Sequence, residues 1–217
     1  MQLQPIRYSA GGQDFEGLLA DGSKGAKAPG VLVAHESPGL TAHIKERTLR
    51  LGELGYVAFA LDLFGAHGLS LDEARGHSAH VVNTPGLMLL RTRAALEALA
   101  GVNSVDPARL AAAGFCLGGA AALELARAGA PIRCAVGFHP GLKRPAGSVD
   151  GAIGAKVLMM IGDRDPVVPQ EDRLAFAQSM TAAGADWQLQ VFGGVGHSYT
   201  NKAIDAHGWP GFRYDAP

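Results

Sequence analysis

The stretch Leu110–Leu125, L-A-A-A-G-F-C-L-G-G-A-A-A-L-E-L, decides the fold. A short apolar run ends at Gly114, Cys116 follows two residues on, and Gly118, Gly119 and an alanine-rich segment come next. This spells a buried strand, a sharp turn and a helix, with a thiol where a nucleophile elbow carries its reactive group. The spelling has a steric cause. A nucleophile on a tight strand-to-helix turn takes a strained backbone and tolerates no bulk beside it, and Gly114 and Gly118 give that clearance. A helix starting at the turn also points free N–H groups and its positive dipole end at the sulfur, which favours thiolate. Read alone, Cys116 fits equally well as a small buried hydrophobe.

Farther along, G-D-R-D-P-V-V-P carries Asp165 and G-V-G-H-S-Y carries His197. Each follows an apolar run that reads as a strand, Val157–Ile161 and Leu189–Phe192, so each projects at the carboxyl edge of a sheet. Nucleophile, acid, base is the chain order of the α/β-hydrolase fold. Asp163 competes for the acid role, since only one carboxylate need face His197.

The motifs H-E-S-P-G-L (His35–Leu40), A-L-D-L-F-G (Ala60–Gly65), G-F-C-L-G-G (Gly114–Gly119), G-D-R-D-P-V-V-P (Gly162–Pro169) and G-H-S-Y (Gly196–Tyr199) together resemble the dienelactone hydrolase family. The resemblance implies an α/β-hydrolase fold: a mostly parallel central sheet, an N-terminal antiparallel hairpin and helices on both faces. It implies a hydrolase for an activated carboxylic ester or lactone, with Cys116, His197 and Asp165 as catalytic residues and an acyl-thioester intermediate. It assigns the acid to Asp165 rather than Asp163. It makes Glu36 a glutamate that contacts the resting thiol, and the N–H groups of Ser37 and Leu117 an oxyanion hole. The alternative within enzymes is a broad carboxylesterase or thioesterase; outside them stand a redox sensor at Cys116 and a binding protein that has lost catalysis.

The founding members hold a substrate carboxylate with arginines, one of them four residues past the histidine, where this chain has Asn201. Arg75, in the segment His67–Thr84, is the one arginine there able to compensate. His139, at a strand end before Pro140, and Tyr199 are further candidates for touching substrate. The resemblance implies a last helix beyond the catalytic loop, whereas this sequence stops at R-Y-D-A-P, so the expectation is either a truncated sequence or a sheet covered differently, as by a partner subunit.

Composition agrees with a single domain over residues 1–217. The chain has 217 residues, 47% of them hydrophobic, enough for one α/β core. With 19 basic and 20 acidic residues there is no field to attract nucleic acid or an anionic membrane. The start, M-Q-L-Q-P-I-R-Y, has no basic n-region or apolar h-region, and no apolar run approaches a membrane span. These features predict a cytoplasmic protein, monomer or homodimer, with no nucleic-acid or membrane partner, and the resemblance implies a small-molecule ester or lactone as substrate. Two cysteines make no disulfide framework, and Cys134 reads as core filler in a buried strand.

No cofactor or metal is expected. H-E-x-x-H would need histidine at position 39, which is Gly39, and His77 and His80 at i, i+3 lack a partner set. The segment containing them reads as a cap over the site. Leu3–Ser9 and Phe15–Ala20 read as a hairpin, Gly30–Ala34 as a buried strand, and Ala42–Leu54 and Gln170–Ala183 as helices. Pro85–Ala100 reads as an amphipathic helix with Arg91, Arg93 and Glu97 on its wet side. Asp62 reads as a loop anchor and His35 as structural.

Overall fold

The computed structural model describes residues 1–215. Its centre is an eight-stranded sheet in the order β1-β2-β4-β3-β5-β6-β7-β8. The strands are β1 (Gln4–Ala10), β2 (Gln13–Asp21), β3 (Ala28–Ala34), β4 (Val57–Leu61), β5 (Val105–Phe115), β6 (Cys134–Phe138), β7 (Lys156–Gly162) and β8 (Trp187–Phe192). β1 and β2 form the expected hairpin, and β2 lies antiparallel on β4. Gly11 and Gly12 turn it with φ of 58° and 79°, the left-handed pair a two-residue hairpin turn requires. From β4 through β3, β5, β6 and β7 to β8 every pairing is parallel. The carboxyl ends of these strands therefore share one edge.

Helices cover both faces. They are α1 (Ala42–Glu53), α2 (Leu71–Asn83), α3 (Leu87–Ala100), α4 (Leu117–Arg127) and α5 (Gln170–Ala182). Strand alternation splits the core. Leu32 and Ala34 of β3 enter the larger cluster with α3, α4 and α5, while Val31 and Val33 enter a smaller one with Ile44 of α1. No helix among the described residues is long and apolar enough to cross a membrane.

Two expectations are corrected. Arg91 is buried rather than on the wet side of α3: it donates to Leu63 O at 2.6 Å and Gln13 Oε1 at 2.8 Å, and its guanidinium lies over the Phe15 ring. An arginine stem packs like an apolar chain, and the strand-end carbonyl satisfies its head, which helix periodicity does not reveal. Cys134 is half-buried rather than core filler. β6 lies beyond β5 from the strands that α1 chiefly packs against, β2, β3 and β4, so Cys134 is left half-covered.

The segment after β8 wraps the histidine loop. A short 3₁₀ turn spans Lys202–His207, and Phe212 then bridges back to His197. His197 N donates to Gly211 O at 2.7 Å, and Asp215 N donates to Tyr199 O.

Candidate active site

Every element of the site hangs from a parallel strand end. Glu36 and Ser37 follow β3, Cys116 follows β5, His139 follows β6, Asp165 follows β7 and His197 follows β8. Ligands meet such sheets outside their carboxyl edge.

The turn at Cys116 takes the backbone expected of an elbow. Cys116 has φ 50° and ψ −113°, strained for any residue with a side chain, and α4 begins at the next residue. A side chain at Gly114 would run into the backbone of Gly118, and one at Gly118 into the carbonyl of Ala34. The glycines thus let β5, α4 and the end of β3 come together around a half-buried thiol. His139 and Ser198 also have positive φ, 40° and 57°, so three of the four such non-glycine residues described lie around this site. Strain of this kind concentrates where a function fixes it.

His197 is buried, and its Nδ1 pairs with Asp165 Oδ2 at 2.7 Å. The other oxygen of Asp165 accepts from Val167 N at 2.8 Å, which holds the carboxylate in place. Asp163 instead accepts from Gly194 N and braces the histidine loop. Sγ of Cys116 lies within 4.8 Å of a ring nitrogen of His197 and of His139. Burial acts to lower the pKa of His197, but the Asp165 carboxylate and the Cys116 sulfur override it and push it up to about 10. Charge on this imidazole is therefore well supported from both sides.

Glu36 is 3% exposed and makes no hydrogen bond to Cys116 among those of the described residues; its Oε2 accepts from Asn201 Nδ2 at 2.9 Å. His139 Nε2 stands 3.9 Å from Oε1. Burial pushes the Glu36 carboxyl up to about 7, against the Asn201 hydrogen bond and the positive charges of His197 and Arg47. Near neutral pH it is thus divided between acid and anion.

The N–H groups of Ser37 and Leu117 have no acceptor among the described residues. Ser37 Oγ shares a 2.6 Å hydrogen bond with Ser78 Oγ, which ties α2 to the loop after β3. Arg75 is exposed on α2, beside Asp72 and over the Trp209 ring, which packs on Phe212. Tyr199 donates to Met160 O at 3.3 Å and packs edge-on against His139, and burial raises its pKa.

His139 is fully buried and packs edge-on against His197 with ring centroids 4.8 Å apart. Burial, then the charge of His197 and of His43, holds its pKa well below the ordinary value, so it stays neutral. Its Nε2 pairs with Thr200 Oγ1 at 3.0 Å. Arg47 of α1 donates to Thr200 O at 3.0 Å. Thr200 and Arg47 carry no local motif, and the sequence reading passed over both. Asp62 and His35 are structural as expected: Asp62 Oδ1 accepts from the N–H groups of Phe64 and Gly65, and His35 bonds Glu36 O and Leu63 N.

The family model described as "Dienelactone hydrolase family" matches residues 15–216. The chain belongs to the dienelactone hydrolase family. Among its relatives, a Bradyrhizobium protein named as a 2-oxo-3-(5-oxofuran-2-ylidene)propanoate lactonase is 28% identical over 192 residues, 83% of this chain and 77% of its own. A Salmonella typhimurium protein named as a carboxymethylenebutenolidase is 30% identical over 182 residues, 79% of this chain and 67% of its own. The crystal structure of a dienelactone hydrolase-like promiscuous phosphotriesterase from metagenomic libraries superposes with a TM-score of 0.87 at 37% identity, covering 99% of this chain and 91% of that one. A dienelactone hydrolase family member with these relatives is a hydrolase, and a small-molecule substrate fits that class.

Proposed function

We propose that this protein hydrolyses an activated carboxylic ester or lactone, dienelactone-like in chemistry, by acyl transfer to Cys116. The observation that carries the reading is the 2.7 Å pair of His197 Nδ1 with Asp165, with Cys116 Sγ within 4.8 Å of the His197 ring. Cys116 attacks the carbonyl as thiolate, with its proton on His197. Oxygen takes up the negative charge, and the unspent N–H groups of Leu117 and Ser37, at a helix start and a strand end, stabilise it. Collapse expels the alcohol or enol, which takes the proton from the imidazolium and leaves a thioester on sulfur. Neutral His197 then takes a proton from water as it attacks that thioester, and Cys116 is expelled again as thiolate. Asp165 holds the imidazole in the tautomer this needs. A thiolate is itself a good leaving group, so substrates with stable leaving groups such as enolates are favoured, and alkyl esters and amides are slow.

A broader reading, a carboxylesterase or thioesterase without carboxylate recognition, draws support from Asn201, whose neutral amide faces Glu36, and from Arg75, whose guanidinium is paired with Asp72. The promiscuity named for the metagenomic relative points the same way, and activated phosphate triesters belong on the substrate panel.

Hydrolysis of p-nitrophenyl acetate, a thioester and a dienelactone by wild type, Cys116→Ala and Cys116→Ser, with mass spectrometry of the quenched enzyme, tests this. Turnover with an acyl adduct on Cys116, lost in the alanine variant, is expected. Equal activity in wild type and Cys116→Ala overturns it and favours a binding protein. The relative rates separate a dedicated lactone hydrolase from a broad esterase.

A further inference from the structure

Acyl transfer to Cys116 uses neither Glu36 nor His139, and of these two buried groups His139 carries an unpaired atom. His139 is 0% exposed, and while its Nε2 faces Thr200 Oγ1, its Nδ1 is buried with no hydrogen-bond partner among the described residues. A buried polar atom left unpaired is destabilising unless something pairs with it. With Nε2–H directed to Thr200, Nδ1 carries a free lone pair.

The His139 ring belongs to a cluster. Cys116 Sγ, one ring nitrogen of His139 and one of His197 all lie within 4.8 Å of one another. Asp165 occupies Nδ1 of His197, which leaves Nε2 as its free nitrogen. One thiolate and two imidazoles form a donor set suited to a borderline-soft divalent cation, three protein ligands with a fourth position open. The supports that orient metal-bound histidines are also present: Asp165 behind His197, and Thr200 behind His139. The carboxylates of Glu36 and Asp165 add negative charge beside the cluster.

We propose that Cys116, His139 and His197 form a reversible site for a thiophilic divalent cation of the zinc class, and that its occupancy blocks hydrolysis. Sulfur binds as thiolate and both rings bind as neutral imidazoles, so the displaced protons pass to solvent. The cation takes the nucleophile and the base together, and substrate and metal exclude one another. His139 has its role here as a ligand of the inhibited state.

The test is equilibrium binding of zinc to the substrate-free protein against a competing chromophoric chelator, with cobalt as a spectroscopic stand-in. One equivalent per chain is expected, with a thiolate-to-cobalt charge-transfer band that Cys116→Ser abolishes. Zinc should also protect Cys116 from iodoacetamide. Loss even of outer partners weakens metal sites about 10–100-fold, so His139→Ala should weaken zinc binding by at least about tenfold. Absence of zinc binding, a cobalt spectrum without the sulfur band, or undiminished affinity in folded His139→Ala overturns the proposal. Should His139→Ala fail to fold, X-ray absorption of zinc on the wild type decides instead: one sulfur and two imidazoles support the site, any other set overturns it. Binding is read without substrate, so an active enzyme that ignores zinc refutes only this inference, and an inactive one that binds zinc refutes only the proposed hydrolysis.

Discussion

Asn201 donates its amide to Glu36 Oε2 at 2.9 Å, across more of the chain than separates any other pair in the site. The position that in the family's founders carries a charged partner for carboxylates here holds a neutral one for a buried acid. Asn201 favours the ionised form of Glu36 while burial opposes it. Replacing it by alanine removes the first effect and leaves the second. The inflection near pH 7 in the kcat/KM profile of an activated ester should therefore move upward in Asn201→Ala and vanish in Glu36→Gln. A profile unchanged by either variant would show that Glu36 does not couple to the reaction.

Asp165→Asn should lower kcat by roughly 10²–10⁴-fold with little change in fold, because the amide presents His197 in the wrong tautomer. The Asp165 carboxylate is one of the groups that raise the His197 pKa, so NMR titration of that ring should find it lower in the variant. Asp163→Asn, which touches only the loop bearing Gly194, should retain most activity. Equal losses in the two variants would refute the assignment of the acid.

Gly118→Ala would force a methyl group against the carbonyls of Ala34 and His35, which are backbone and cannot swing aside. Overpacking of this kind typically costs about 1–3 kcal/mol and sometimes more. The variant should melt several degrees lower and lose activity, since relief requires moving the N-terminus of α4 away from β3. Gly76→Ala, with nothing near a new methyl group, is the matched control.

Glu36 also sets a pH dependence of stability. Its folded pKa of about 7 lies above the ordinary value of 4.5, so between the two the native state holds the proton that the unfolded chain has released. Stability contributed at this residue therefore falls as pH rises through that window, by on the order of 3 kcal/mol in all. Glu36→Gln should match wild type below pH 4.5 and exceed it above pH 7 in chemical denaturation.

The strand ends and the elbow were legible because each depends on local pattern. An apolar run closed by glycine, with a reactive or polar side chain within a few residues, reads as a strand end in an α/β chain, and Cys116, Asp165 and His197 all follow such a run. Arg91 and Cys134 were misread because helix periodicity and strand composition describe an element alone, not the neighbour that covers it. The roles of Asn201, Thr200 and the free nitrogen of His139 had no local signal at all, since each comes from contacts between segments far apart in the chain. The same holds for the cluster of Cys116, His139 and His197, which reaches across three strand ends and shows no metal-ligand spacing.

The parallel order that gathers five loops at one sheet edge has a kinetic consequence. Loop-closure entropy must be spent on β3, β5, β6, β7 and β8 before any two site residues meet, and such non-local pairing folds slowly. No contiguous fragment ending before β8 can hold His197 near the Cys116 thiol. Return of hydrolysis during refolding should therefore lag the return of helical signal, which makes the reaction a reporter of the last strand to dock.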